Sequence, residues 1–246
     1  DTPSQRDYNF MVGIGIETVS VYRNPKIAVV ATGDELVSAG QKLTPGKIYE
    51  SNSNMIQAAL KSIGFECEIY RVADDFESTK NLFSQLISKN DLIIAAGGIS
   101  VGDYDFVGKA LEELNTETLF YKVKQKPGKP LYLGRNGATT IFGLPGNPGA
   151  ALSCFYIYVS IALAQLTGKK SPFIVPKITQ LSHDYSKPAG LTQFLKAKST
   201  GDKVQILSHQ SSAMLNSYTD TNCIARLEEK ETAWVEGDKV TIYQIP

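Results

Sequence analysis

Glycines and acidic side chains follow a short apolar run in the middle of the chain and could together bind a phosphate and a metal ion. The run Leu92–Ala96 is wholly apolar, as is typical of a strand buried on both faces of a parallel sheet. Glycines at the end of such a strand let backbone N–H groups approach an anion, and the helix-like run 106–114 adds its positive end. The candidate residues between them are Gly97, Gly98, Ser100, Gly102, Asp103 and Asp105.

Carboxylates beside an anion site repel a phosphate unless a hard cation such as Mg²⁺ bridges them. This segment therefore predicts a site for a phosphorylated ligand with a metal. The alternative is a glycine-rich turn in which Asp103 or Asp105 is a helix N-cap.

Alternating patterns around this segment predict a parallel sheet. Strand patterns at Ile27–Ala31, Glu66–Val72 and Leu92–Ala96 alternate with helix patterns at Met55–Ile63 and Ser78–Ser88. Ligands bind at the carboxyl ends of parallel strands, so we expect the segments that follow these strands to share one edge. Besides the glycine segment, the residues concerned are Thr32, Gly33, Asp34, Glu35, Asp74 and Asp75.

A second kind of loop concentrates positive charge. The pattern at Thr118–Lys126 predicts a strand with Lys122 and Lys124 on one face, where they protect an exposed edge. Lys126 begins the sequence Lys-Pro-Gly-Lys-Pro, in which two prolines restrict the backbone around Gly128 and hold Lys126 and Lys129 in a rigid loop. We expect this loop to bind a small oxyanion.

Another glycine and proline loop contains Pro145, Gly146 and Asn147 and runs into an apolar segment, Ala150–Leu166. The loop is either a second anion site at a helix N-terminus or a stiff buried turn. The segment predicts a buried helix, too short and too polar to cross a bilayer.

The periodicity changes after the turn-forming residues 168–172, and this divides the chain. Beyond them, short alternating strands and hairpin turns predict a small all-β domain, a partly closed barrel, over residues 171–246. Residues 25–170 are predicted to form the α/β domain, and 1–24 to be the remnant of an upstream domain or a linker. The residues 209–212, which include Ser212, either form a cluster of hydrogen-bonding groups that binds a ligand or belong to a solvated loop.

Composition excludes several function classes. The 246 residues carry 25 basic and 25 acidic side chains, so no global field favours nucleic acid or an anionic membrane. Three separated cysteines without CxxC spacing indicate reduced thiols in a cytoplasmic protein, and two histidines exclude a three-histidine zinc centre.

Motifs distributed over this chain resemble those of the molybdopterin molybdenumtransferase family, which includes the MoeA proteins and the gephyrin E domain. They are TGDEL at 32–36, GGxSxGxxD at 97–105, KPGKP at 126–130 and LPGNP at 144–148, in the order of the family. The resemblance implies a three-layer, doubly wound and mostly parallel sheet of the molybdopterin-binding type, followed by a β-barrel-like domain.

The resemblance also implies an activity, in which adenylylated molybdopterin and molybdate give molybdenum cofactor and AMP with the help of Mg²⁺. It assigns Asp74 and Asp105 to the metal and to catalysis. It assigns molybdate binding to Lys126, Lys129, Pro130, Lys196 and Ser212, and substrate binding to Thr32, Gly33, Asp34, Glu35, Gly97, Gly98, Ser100, Gly102, Pro145, Gly146 and Asn147. It implies a cytoplasmic homodimer that needs neither nucleic acid nor a membrane.

The chain departs from the family at a few positions. Glu50 replaces an aspartate that precedes a Thr-Asn pair in many members, where this chain has Ser51 and Asn52. Lys196 and Leu191 stand where arginines are common. We expect a retained site with weaker molybdate affinity, because lysine lacks the planar fork of arginine. Two other functions remain open: a non-catalytic binding or scaffold module of the gephyrin kind, and a molybdopterin adenylyltransferase.

Overall fold

Strands and helices alternate up to residue 166, and strands predominate after it. The computed structural model describes residues 5–99, 105–213 and 215–246. Its strands up to residue 144 are β1 (Ile27–Thr32), β2 (Leu36–Val37), β3 (Ile48–Tyr49), β4 (Glu68–Val72), β5 (Leu92–Ala96), β6 (Glu117–Tyr121), β7 (Gln125–Lys126), β8 (Tyr132–Asn136) and β9 (Thr139–Leu144). The later strands are β10 (Pro176–Leu181), β11 (Tyr185–Ser186), β12 (Thr192–Thr200), β13 (Lys203–Ile206), β14 (Cys223–Leu227), β15 (Ala233–Trp234) and β16 (Lys239–Gln244).

The helices are α1 (Gln5–Gly13), α2 (Asn52–Ser62), α3 (Phe76–Ile87), α4 (Phe106–Glu113), α5 (Pro148–Cys154) and α6 (Ser160–Leu166). A π-helical turn, Phe155–Val159, joins α5 to α6, and Leu215–Tyr218 forms a 3₁₀ turn.

The first sheet has the predicted parallel centre. In the described part of the chain its strand order is β4–β1–β5–β9–β8–β6. The first four strands run parallel, with Val29 opposite both Ile69 and Ile94, and Ile94 opposite Phe142. β8 is antiparallel to β9, and β6 is antiparallel to β8. All residues of β1 and β5 are buried, which explains why these strands are apolar throughout and do not alternate.

Helices cover both faces of this sheet, which confirms the three-layer architecture. On one face, α2 and the long helix from α5 to α6 pack on Val29, Ile94 and Phe142 through side chains such as Leu60 and Phe155. On the other face, α3 and α4 supply the side chains Phe83 and Leu111. Each of these side chains is fully or almost fully buried, and burial of this kind contributes about 1.5–3 kcal/mol per residue.

The continuous helix Pro148–Leu166 belongs to this core. Its 19 residues have a mean hydropathy of 1.6, so it is long and apolar enough to cross a bilayer, and the expectation that it is too short and too polar is wrong. However, 72% of it is buried inside the structure. Packing between the sheet and the barrel accounts for its apolar composition.

The strand predicted at Thr118–Lys126 is wrong as a single element. β6 ends at Tyr121, and Lys122 has a left-handed φ of +63°, so the chain leaves the sheet there. β7 then pairs with β12 in parallel, with Gln125 opposite Thr192. The three lysines that alternate in the sequence therefore do not share one face of one strand.

The C-terminal strands close into a barrel. β13 pairs with both β10 and β12, and β10–β16–β14–β12 complete the circle, so the predicted partly closed barrel is fully closed over the described residues. Closure removes the sheet edges that would otherwise expose unpaired backbone groups. Leu181, Val204 and Ala225 are among the side chains that fill its interior.

Candidate functional site

Most of the polar loops predicted to carry chemistry lie at one edge of the first sheet. Because β1, β4, β5 and β9 are parallel, the segments after Thr32, Val72, Ala96 and Leu144 all leave the sheet at the same edge. A backbone hydrogen bond from the Gly97 N–H to the Leu144 carbonyl (3.3 Å) joins the loop after β5 to the end of β9. The positions therefore converge although they are distant in sequence.

Asp34 and Asp74 form a contact between two of these loops. The Asp74 N–H donates to Oδ1 of Asp34 (3.1 Å), and the Asp34 N–H donates to Oδ2 of Asp74 (3.4 Å). Burial raises the pKa of Asp74, and the neighbouring charges of Glu35 and Asp34 raise it further. A cation would relieve this repulsion, and Mg²⁺ is commonly held by one or two carboxylates together with ligand phosphates. The donor set therefore fits Mg²⁺.

Asp105 is the N-cap of α4, as the alternative interpretation of the glycine segment allows. Its Oδ1 accepts a hydrogen bond from the Gly108 N–H (2.8 Å), and burial raises its pKa. The described residues show no contact between the carboxyl groups of Asp74 and Asp105. They also contain no cluster of three or more His, Cys, Asp or Glu that could hold a metal. Ser100, Gly102 and Asp103 lie outside the described residues.

The glycines after β5 are required by their surroundings. Gly97 and Gly98 have φ values of +108° and +69°, a region that other residues rarely adopt. A Cβ atom on Gly98 would lie 2.3 Å from Oγ1 of Thr32. That buried oxygen has no hydrogen-bond partner among the described residues. A ligand donor approaching the Gly98 backbone would meet an available acceptor there.

The loop of residues 126–130, which we call the lysine loop, lies at this same edge. It precedes β8, whose first residue, Tyr132, is paired antiparallel with Gly143 near the end of β9. On its other side, Lys126 of β7 is opposite Gln193 of β12 in the barrel. The lysine loop thus connects the sheet edge with the barrel.

A cavity of about 940 Å³ opens between the sheet edge and the barrel. Of the predicted residues, it is lined by Gly98, Lys126, Lys129, Pro130, Pro145, Gly146, Asn147, Lys196 and Ser212. Lys126 and Lys129 are exposed, whereas Lys196 is only 5% exposed. Thr32, Gly33, Asp34, Glu35, Asp74 and Asp105 are not among its lining residues, although they belong to the same edge.

Lys196 is held at the cavity wall by the loop that follows β13. Its Nζ donates to the Ser211 carbonyl (2.8 Å) and lies 5.5 Å from the centre of the Tyr218 ring. Gln210 accepts from the Lys196 N–H (3.0 Å) and donates to the Lys196 carbonyl (2.9 Å). Burial lowers the pKa of Lys196 because it disfavours the charged form.

Ser212 joins the barrel to the loop after β9. Its carbonyl accepts from the Gly149 N–H (2.8 Å), and its hydroxyl lies 3.4 Å from Nδ2 of Asn147. Because the Gly149 N–H is hydrogen-bonded to Ser212, this donor at the start of α5 does not point at a bound anion. Asn52 also contributes, since its amide donates to the Gly146 carbonyl (2.7 Å).

The sequence interpretation missed several lining residues, which are Gln125, Ser153, Tyr185 and Gln193, whereas Gln210 and Ser211 belong to the predicted cluster 209–212. Gln125 directly precedes the predicted lysine loop, so proximity in sequence was an available signal. Tyr185 and Gln193 reach the cavity only because of how the barrel is placed, which no local pattern reveals.

Two family models match this chain. Residues 28–165 match the model described as "Probable molybdopterin binding domain", and residues 179–245 match "MoeA C-terminal region (domain IV)". The first match begins in β1 and ends in α6, and the second covers the barrel.

Curated proteins and solved structures agree with these matches. A molybdopterin molybdenumtransferase of Staphylococcus epidermidis is 36% identical over 189 residues, which are 76% of this chain and 45% of that protein. One from Staphylococcus aureus is 32% identical over 235 residues, or 93% of this chain and 56% of that protein. The chain thus corresponds to about half the length of the curated relatives it matches.

Among solved structures, the molybdopterin biosynthesis MoeA protein of Pyrococcus horikoshii superposes with a TM-score of 0.79 at 29% identity. The superposition covers 97% of this chain and 59% of that one. The α/β sheet coincides with the first family match, and the closed barrel coincides with the second. The chain therefore belongs to the molybdopterin-binding domain family of molybdenum cofactor biosynthesis, in its MoeA-type form with domain IV attached.

Proposed function

We propose that the protein containing this chain inserts molybdate into adenylylated molybdopterin and releases AMP, as a molybdopterin molybdenumtransferase. The observation that carries the proposal is the cavity between sheet edge and barrel, where Lys126, Lys129 and Lys196 line one space. Molybdate is a small tetrahedral dianion, and fixed positive charge supplied from several elements is the chemistry that would bind it.

In this proposal the barrel completes the anion site. Lys196 supplies a charge from within the protein, while Lys126 and Lys129 supply charges from the rim. Pro130 and Ser212 lie beside them, and the hydroxyl of Ser212 can donate to an oxyanion. The buried ammonium interacts more strongly with an anion than an exposed one, because less water screens it.

The sheet edge is proposed to bind the pterin and nucleotide phosphates. Gly97 and Gly98 offer close approach to the backbone, and Thr32, Gly33, Asp34 and Glu35 form the adjoining loop. Pro145, Gly146 and Asn147 form the wall toward the barrel. Ser100 and Gly102 remain assigned to the same phosphates by the resemblance alone.

Asp74 and Asp105 are proposed to hold Mg²⁺, with Asp34 beside Asp74 as a further carboxylate. When bound, the ion would neutralise phosphate charge and stabilise charge that develops as the pyrophosphate bond breaks.

The proposed division into a domain over 25–170 and a barrel over 171–246 places this site at their junction. A cytoplasmic homodimer is proposed as well. The dimer is supported by the large apolar side chains that remain exposed near the start of the chain, such as Phe10 and Tyr22.

Asp105→Asn in an AMP-release assay tests the function. Asparagine retains the acceptor that caps α4 but removes the charge, so the helix should stay intact. We expect the chain to release AMP from adenylylated molybdopterin only with molybdate and Mg²⁺, and the variant to be slowed at least about tenfold, or about 1.4 kcal/mol of barrier.

Asp75→Asn is the matched control, because Asp75 caps α3 in the same way through the Ser78 N–H (2.8 Å). An unchanged rate for Asp105→Asn would remove Asp105 from the mechanism. Absence of both AMP release and molybdate binding would overturn the proposed function. Pyrophosphate formed from ATP and molybdopterin would indicate an adenylyltransferase instead.

A further inference from the structure

We propose that Gln125 is a positioning residue that holds the lysine loop in its anion-binding shape, and that Tyr158 in turn holds Gln125. This inference rests on the proposed function for its ligand, but the contacts that carry it do not depend on the ligand. Gln125 is 4% exposed and directly precedes Lys126.

The Gln125 amide group contacts the inside of the lysine loop. Its Nε2 donates to the Pro127 carbonyl (3.1 Å) and lies 3.4 Å from the Gly128 carbonyl. Two prolines in the loop remove backbone donors, so the loop cannot form a regular ladder of its own. The side chain of Gln125 therefore supplies the hydrogen bonds that the loop lacks internally.

Tyr158 fixes the other end of the same amide. Its hydroxyl donates to Oε1 of Gln125, and the centre of its ring lies 6.5 Å from the ring centres of both Phe120 of β6 and Phe194 of β12. Tyr158 lies in the π-helical turn, a rare geometry that occurs often at functional sites. The tyrosine thus connects the sheet, the long helix and the barrel to one amide group.

Cys154 packs against both Gln125 and the lysine loop. Its sulphur lies 3.7 Å from Nε2 of Gln125, and a Cβ atom on Gly128 would lie 2.4 Å from it. Gly128 also has a φ of +85°. Burial raises the pKa of the Cys154 thiol to about 12, so it stays protonated and adds no charge near the lysines.

These contacts leave little freedom for the backbone between Lys126 and Lys129. The two lysine side chains are themselves exposed, so they are not positioned by burial. Their common geometry depends on the backbone of the loop, and that depends on Gln125. A misplacement of about 1 Å in a binding group can reduce catalysis by about a hundredfold, so such support is functionally significant.

The experiment compares Gln125→Met, Tyr158→Phe and the double variant by calorimetric titration with molybdate and by hydrogen exchange at Gly128 and Lys129. Methionine keeps the length of the side chain but makes none of the hydrogen bonds. We expect Gln125→Met to raise the Kd for molybdate about tenfold and to speed exchange in the loop. Tyr158→Phe should have a smaller effect, and the double variant should match Gln125→Met, because the tyrosine acts through the glutamine.

Thr139→Val is the matched control. Thr139 is also buried, and its hydroxyl donates to the carbonyls of Ile87 (2.9 Å) and Asn90 (2.7 Å), but β9 begins there, at the opposite edge of the sheet. This variant should lower stability without changing molybdate affinity or exchange in the lysine loop. A merely structural role for Gln125 predicts equal behaviour of the two variants and would overturn the proposal.

The two proposals fail in different ways. If the unaltered chain binds no molybdate, the proposed function fails, and loop exchange still tests the role of Gln125. If molybdate binds but Gln125→Met changes neither affinity nor exchange, the positioning role is wrong and the proposed function stands.

Discussion

Lys196 combines two properties that oppose each other, a charge and an almost complete removal from water. Its ammonium group is stabilised by the Ser211 carbonyl and the face of the Tyr218 ring. Burial nevertheless lowers its pKa, so the group loses its proton at a lower pH than an exposed lysine does. Because an oxyanion needs the protonated form, the affinity of the site should depend on this residue as pH rises.

We predict that molybdate affinity falls as pH rises through the lowered pKa of Lys196, and that Lys196→Arg retains its affinity to higher pH. Arginine stays protonated throughout, whereas an ordinary lysine has a pKa of about 10.4. The unfolded chain binds more protons than the folded one between the lowered and the ordinary pKa of Lys196, so this residue makes stability rise with pH there. Calorimetric titrations from about pH 7 to about pH 10 measure the effect on binding.

Lys198→Arg is the control, since Lys198 is exposed on the same strand, β12. At neutral pH we also expect Lys196→Arg to bind molybdate more tightly, through the bidentate geometry of its guanidinium group. Equal affinity there, or the same pH profile as the unaltered chain, would contradict the role assigned to Lys196.

At the scale of elements, the start of α2 shows how a departure from the family pattern, Glu50, stabilises a helix. Ser51 occupies the N-cap position but makes no capping hydrogen bond. Glu50 does so instead, since its carboxylate accepts from the Ser53 N–H (2.8 Å) and the Ser53 hydroxyl (2.6 Å) and lies 3.7 Å from Arg71. Glu50 is 3% exposed. The longer acid at this position therefore stabilises the start of a core helix.

We predict that Glu50→Ala lowers the free energy of unfolding by about 2–3 kcal/mol, because it leaves buried donors unpaired and removes a charge from the positive end of α2. Ser51→Ala, the neighbouring control, should change it by less than about 0.5 kcal/mol. Urea denaturation followed by circular dichroism measures both. Similar losses in the two variants would contradict the assignment of the cap to Glu50 in place of Ser51.

At the scale of the whole molecule, the barrel and the α/β layers are joined through the cavity walls. The Tyr218 hydroxyl contacts the Ser153 hydroxyl (2.6 Å) and the Gly149 carbonyl (3.2 Å), and Phe194 of the barrel packs in the same core as Phe155. Because Phe194 and Phe155 share one hydrophobic core, the loss of either unit exposes apolar area on the other. The two units should then unfold together.

We predict that Leu181→Ala, a change in the barrel interior, shifts the unfolding of the helices as well. Leu181 is fully buried, and its truncation should cost about 2–5 kcal/mol. Trp234, the only tryptophan of the chain, lies in the barrel core and reports on the barrel by fluorescence. The α-helices of the described residues lie before residue 167 and dominate the circular dichroism signal. Both signals should shift equally, whereas a shift in fluorescence alone would show independent units.

The fold class and several of the site positions follow from local features of the sequence. Buried parallel strands are apolar on both faces, and loops at their carboxyl ends must meet at one edge, so the neighbourhood of Thr32, Asp74, Gly98 and Asn147 could be predicted from periodicity and topology. The lysine loop was recognisable because prolines and a glycine restrict its backbone whatever surrounds it.

Tertiary structure alone decided which groups face one another across the cavity. The end of the predicted strand at Tyr121, the pairing of β7 with β12, the burial of Lys196 and the contact of Tyr158 with Gln125 all depend on where the barrel packs. Such contacts join residues that lie tens of positions apart in the sequence, and they form where the fold excludes water. No local pattern carries that information, since the free energy of these groups depends on partners that only the folded chain brings to them.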